Sequence, residues 1–168
     1  MNAIDLLTAQ HREVENLFEE CKKASAEDKL ELFYAIADML VLHTAIEERH
    51  FYPAAAEGTS EDLVREALEE HLLVKRSLAD LLAIQSVDAE FEAKLQVLEE
   101  LVQHHVKEEE ETLFPEVQKR LSVARLQEVG EALERMTAEL EEEETLYERV
   151  QNVDELAQAA PLHPPGHS

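Results

Sequence analysis

The stretch that decides the fold is HTAIEERHFYP, running from His43 to Pro53. The chain repeats its pattern as HVKEEEETLFP, from His105 to Pro115. Each copy sets a Glu four residues after a His, then an aromatic residue and a Pro. Residues four apart are neighbours on a helix surface, with Cβ atoms about 5–6 Å apart, so His43 faces with Glu47 and His105 with Glu109. The Pro that follows predicts a stop or a kink.

Working outward, the apolar period stays close to 3.6 and the breaks are well marked. A first helix is expected from about Asn2 to Lys23, with Ile4, Leu7, His11, Val14 and Phe18 on one face. Ser25 and Asp28 resemble a capping box at the start of a second helix. That helix carries Phe33, Ile36, Leu40, His43 and Glu47 inward and should end at Pro53, before a loop over Ala54–Ser60. Thr59 or Ser60 would cap a third helix reaching about Gln85, with the face Val64, Ala67, His71, Val74, Leu78 and Leu81. Asp88 would cap a fourth, carrying Phe91, Leu95, Leu98, Leu101 and Val102, which Pro115 kinks or ends. Ser122 opens a last helix with Leu126, Val129, Leu133, Met136 and Leu140 on its face. Short connections force antiparallel neighbours, so the expected fold is all-α: an up-down-up-down four-helix bundle with an additional C-terminal helix. Residues 1–150 would form the bundle domain, and 151–168, ending PLHPPGHS, a polar Pro- and His-containing flexible tail.

Composition narrows the function. The 168 residues include 15 Lys+Arg against 39 Asp+Glu, a formal charge of −24. That balance argues against nucleic acid or an anionic membrane as partner. No apolar run approaches the ~20 residues of a membrane span, and the N-terminus shows no secretory signal. A lone Cys21 excludes an internal disulfide and a cysteine zinc site, and fits a reducing cytoplasm.

His11, His43, Glu47 and His71 all fall at positions that the helical period assigns to the core. On the fourth helix, Leu98 and Leu101 precede His105 on one stripe, so His105 with Glu109 continues the apolar face. His104 with Glu108 is the rotated alternative. Glu is so common here that one His-x-x-x-Glu carries little information. Two of them, both inward, joined by two further inward His, are a constellation. Buried imidazoles and carboxylates are costly unless paired or metal-bound. Two metal ions would satisfy this set, each with two His and both Glu bridging. Nitrogen and oxygen donors without thiolate suit iron, manganese or zinc, and carboxylate bridges with vacant positions favour iron. Cys21 reads as a core residue, and the Glu141–Glu144 run, like Glu48 and Glu108, as solvated helix face.

AQHREVENLF around His11, HTAIEERHFYP, EEHLLVK around His71, HVKEEEETLFP and the following LSVARLQEVGEALERM together resemble the hemerythrin-like, or HHE cation-binding, domain family over roughly residues 3–145. The resemblance implies two non-haem iron ions within a four-helix bundle, binding dioxygen, nitric oxide or peroxide in sensing, storage or stress protection. The alternative is a di-iron enzyme that reduces peroxide or nitric oxide, or handles iron, with a separate electron-donor protein. Oxygen-carrying hemerythrins have a fifth His one turn after the third-helix ligand; here that position is Lys75. The departure puts reversible oxygen carriage in doubt and places an ammonium either beside the centre or out in solvent. His50, three residues after Glu47, is a further candidate ligand.

Overall fold

The computed structural model describes residues 1–58 and 61–143. Helix α1 (Ala3–Lys23) packs along α2 (Ala26–Ile46), and α4 (Glu61–Leu82) along α5 (Ala89–Glu108), as two helical hairpins that together make the bundle. The starts follow sequence: the side chains of Asn2, Ser25, Asp88 and Ser122 each accept a bond from the amide three residues on. These caps satisfy amides that the first turn leaves without a carbonyl partner. A further long helix, α7 (Val123–Glu143), lies against α1 and α2. Its Gly130 is the contact point. A Cβ there would fall inside van der Waals contact of the Met1 carbonyl and 2.9 Å from the Ala3 nitrogen.

Two expectations are corrected. Pro53 does not end the second helix, and Ala54–Ser60 is not a loop as far as Gly58. The chain passes through one π-helical turn, Glu47–Phe51, and continues as α3 (Tyr52–Gly58). The fourth helix does the same, with a π turn at Glu109–Leu113 followed by α6 (Phe114–Arg120). In a regular helix a Pro ring clashes with the carbonyl four residues back. In both repeats the wider turn lies directly ahead, its bond running from the amide of Tyr52 or Phe114 to the carbonyl of Glu47 or Glu109, and the helix resumes with Pro as its second residue. The third helix stops at Leu82, short of Gln85. The proposed caps Thr59 and Ser60, the end of the last helix and the 151–168 tail lie outside the described residues.

The apolar interior divides in two. One cluster gathers Ile4, Leu7, Ile46, Phe51, Leu68, Leu113, Phe114 and the inner face of α7. The other gathers Val14, Phe18, Phe33, Leu40, Val74, Leu78, Phe91 and Val102. Between Leu7 and Val14 on α1 sits His11; between Leu40 and Ile46 on α2, His43; between Leu68 and Val74 on α4, His71. A polar layer thus cuts across the core, and its chemistry positions everything that follows. Among the described residues no helix is long and apolar enough to cross a membrane.

Candidate metal centre

The structure brings His11, His43, Glu47, His71, His105 and Glu109 together, each at most 6% exposed. They form two groups. His11, His43, Glu47 and Glu109 place one donor atom each within 4.8 Å of one another; so do Glu47, His71 and His105. Glu47 belongs to both. Its Oε1 lies 3.2 Å from His43 Nε2, and its Oε2 3.0 Å from His71 Nε2. Glu109 spans the same gap, with Oε1 3.3 Å from His11 Nε2 and 3.1 Å from His105 Nε2. The rotated pair is excluded from the layer: the His104 side chain is 63% exposed and meets Glu70 on the surface, while Glu108 lines a small outer cavity with Glu66 and Glu70.

Whether these residues suit a metal is tested by what they lack. His11 Nε2, His43 Nε2, Glu47 Oε1 and Glu109 Oε1 are buried without a well-formed hydrogen bond, although they face one another across 3.2–3.3 Å gaps. A buried donor or acceptor left unpaired costs about 1–3 kcal/mol. Four such atoms, all from imidazole or carboxylate and all converging, are the donor set a cation needs. The residues fit.

One member of the layer has no counterpart in the sequence reading. Tyr52 is 1% exposed, and its hydroxyl lies 2.9 Å from His71 Nε2 and 3.1 Å from both Glu47 Oε2 and Glu109 Oε2. The π turn aims it there. In the second repeat the same place holds Phe114, which stacks on His11 with ring centroids 5.8 Å apart. The signal was present in the repeat: five residues after each inner Glu stands an aromatic, and only the first carries a hydroxyl.

The outer ring nitrogens are also partnered. His11 Nδ1 donates to Glu110 (2.8 Å), His43 Nδ1 to Gln10 (2.7 Å), His71 Nδ1 to Glu48 (3.1 Å) and His105 Nδ1 to Glu70 (3.0 Å). These bonds leave every Nε2 free to act as a donor toward the centre. Glu48 is therefore not solvated helix face. Lys75 is corrected too. It is 8% exposed, and its Nζ sits 2.7 Å and 2.8 Å from the two Glu48 oxygens, on the outer side of His71. It neither faces the donor groups nor reaches solvent. His50 turns toward α7, among Arg49, Arg135 and Glu139, because the wider turn rotates it away from Glu47's face.

Electrostatics follow from this crowding. Burial disfavours the charged forms of His105, His71 and His11. The carboxylates beside them outweigh it, holding His105 well above the ordinary value and the other two above it. Burial likewise opposes ionised Glu47, yet His43, His105 and His71 hold it well below its ordinary range, and Glu109 is also lowered, chiefly by His105. Burial and the two carboxylates push the Tyr52 phenol well up.

Residues 2–117 match the family model for the hemerythrin HHE cation binding domain. A curated relative, a DNA nickase of Nostoc sp. (strain PCC 7120), is 32% identical over 123 residues, covering 73% of this chain; the chain spans only 35% of that protein. The crystal structure of a hemerythrin HHE cation binding domain-containing protein of Mycobacterium kansasii, an Rv2633c homolog, superposes with a TM-score of 0.74. It is 24% identical, and the match covers 91% of this chain and 99% of that one, so the likeness establishes the bundle with its extra C-terminal helix.

Proposed function

The chain belongs to the hemerythrin HHE cation-binding domain family, and on that premise we propose that its polar layer holds two non-haem iron ions and binds a small ligand, dioxygen, nitric oxide or peroxide. The observation that carries this reading is the set of four converging buried donor atoms without a well-formed hydrogen bond, on His11, His43, Glu47 and Glu109. His11 and His43 would hold one ion, His71 and His105 the other, and Glu47 and Glu109 would bridge. Bound iron supplies ligand binding and one-electron chemistry. The protein supplies the rest.

Ligand size supports the proposal. A cavity of about 20 Å³ opens on the four imidazoles, walled by Val14, Met39, Leu40, Val74, Val102 and Val106. That is room for a ligand the size of a water or a diatomic molecule. Its apolar walls exclude bulk water, which strengthens charge interactions at the centre. Tyr52 places one hydroxyl beside His71, able to donate to either bridging carboxylate or to serve as an oxygen donor itself. Any electrons would come from a separate protein. The DNA activity named for the Nostoc relative is not carried over, since this chain matches a third of that protein and bears a charge of −24.

The test is metal analysis with an absorption spectrum on protein made in iron-replete cells. Two irons per chain and near-ultraviolet ferric charge-transfer bands are expected. One tightly held zinc, with no iron uptake, would overturn the reading.

A further inference from the structure

The two halves of the chain place the outer partners of their imidazoles by one rule. The residue after each inner Glu bonds the single His of the opposite half or hairpin: Glu48, after Glu47, takes His71, and Glu110, after Glu109, takes His11. The residue before each single His bonds the His of the His-x-x-x-Glu pair: Glu70, before His71, takes His105, and Gln10, before His11, takes His43. The rule is broken once, in chemistry and not in geometry. Three partners are carboxylates and the fourth, Gln10, is a neutral amide.

Two of the carboxylates are themselves fixed by cations. Glu110 is held by Arg12 at 2.6 Å and Glu48 by Lys75 at 2.7 Å, while the second oxygen of Glu70 has the His104 ring 3.1 Å away without a well-formed hydrogen bond. A carboxylate accepting from Nδ1–H polarises the ring and makes Nε2 a stronger donor; an amide oxygen does so less. Both imidazoles of the His71/His105 group have this support, but only His11 has it in the other group.

We infer that the two donor groups are inequivalent metal positions, His71/His105 the tighter, and that Gln10 is the positioning residue that weakens the His11/His43 position. The inference rests on the proposed metal centre. Gln10 and Glu70 are both partly exposed and bond the outer Nδ1 atoms. Gln10 also borders the cavity on the imidazoles, so the exchange of amide for carboxylate is nearly isosteric but changes the charge there.

The experiment is an anaerobic titration with iron(II) against a chromophoric chelator. Wild type should show two steps separated by about tenfold or more, the range of affinity effects of such outer partners. Gln10→Glu should tighten the weaker step and leave the tighter one. Glu70→Gln should loosen the tighter step and leave the weaker one. The double exchange should invert which position fills first, read by which step His105→Ala removes. Two indistinguishable wild-type steps, or a Gln10→Glu variant with both steps unchanged, would overturn the inference. Gln10→Glu decides alone should Glu70→Gln not fold. A wild type that binds no iron at all would instead defeat the proposed centre.

Discussion

Lys75 shows how one residue's role follows from its partner. Its ammonium and the Glu48 carboxylate form an ion pair 9% and 12% exposed, and Glu48 also fixes His71. Removing one member of a buried pair leaves the other charge uncompensated, at about 3–5 kcal/mol. Lys75→Met should therefore lower stability by about 3 kcal/mol in a denaturant melt, and adding Glu48→Gln should recover much of it. Unchanged stability in Lys75→Met would show that the pair is solvated. At the donor groups, His105→Ala should remove the metal of its own position and Glu109→Ala, which spans both, should strip most of the metal, while His104→Ala and Glu108→Ala leave it near full. Metal analysis of the four proteins checks this, and the reverse pattern would contradict the inward placement of His105. The choice of His105 over His104 was legible because Leu98 and Leu101 mark a stripe. Tyr52 was marked only by the repeated aromatic five residues after each inner Glu, and Gln10 and Glu70 were not legible, because hydrogen-bond partners across helices leave no apolar period in the chain.

At the scale of elements, the five long helices could be read from apolar spacing, and three of their starts from Ser25, Asp88 and Ser122. The two π turns could not. A π turn is one extra residue in a helical turn, and nothing in composition marks it; only the Glu-to-Pro interval, common to both repeats, hints that the helix must accommodate the ring without ending. The packing of α7 on the start of α1 was equally hidden, since it depends on a missing side chain. Gly130 within a helix would ordinarily gain about 0.5–1 kcal/mol on replacement by Ala. Here the new Cβ meets the backbone of Met1 and Ala3. Overpacking typically costs about 1–3 kcal/mol, so Gly130→Ala should destabilise despite its better helix propensity. A raised melting temperature would mean that the N-terminus moves aside freely.

For the whole molecule, the polar layer sets a competition between protons and metal. Without metal, imidazolium and carboxylate hold the layer together. The folded pKa values of His11, His71 and His105 lie above the ordinary 6.5. Their pairing therefore stabilises fully below about 6.5 and is lost as pH rises through the folded values. Glu47 and Glu109 lie below the ordinary 4.5; their contribution is present above about 4.5 and lost as pH falls through the lowered values. The metal-free protein should be most stable between these limits and weaken toward pH 8. Metal runs the other way, because each His must give up its proton to bind. Apparent affinity should climb with pH past 6.5, where an ordinary His would already have levelled off. Metal stabilises only the folded state, so the melting-temperature gap between loaded and metal-free protein tracks that affinity. Thermal melts of both forms from pH 5 to pH 8 should show a gap that is small at pH 5 and widens throughout. A gap that stays constant or narrows would mean that the metal does not displace protons from this layer, and so does not bind through these imidazoles.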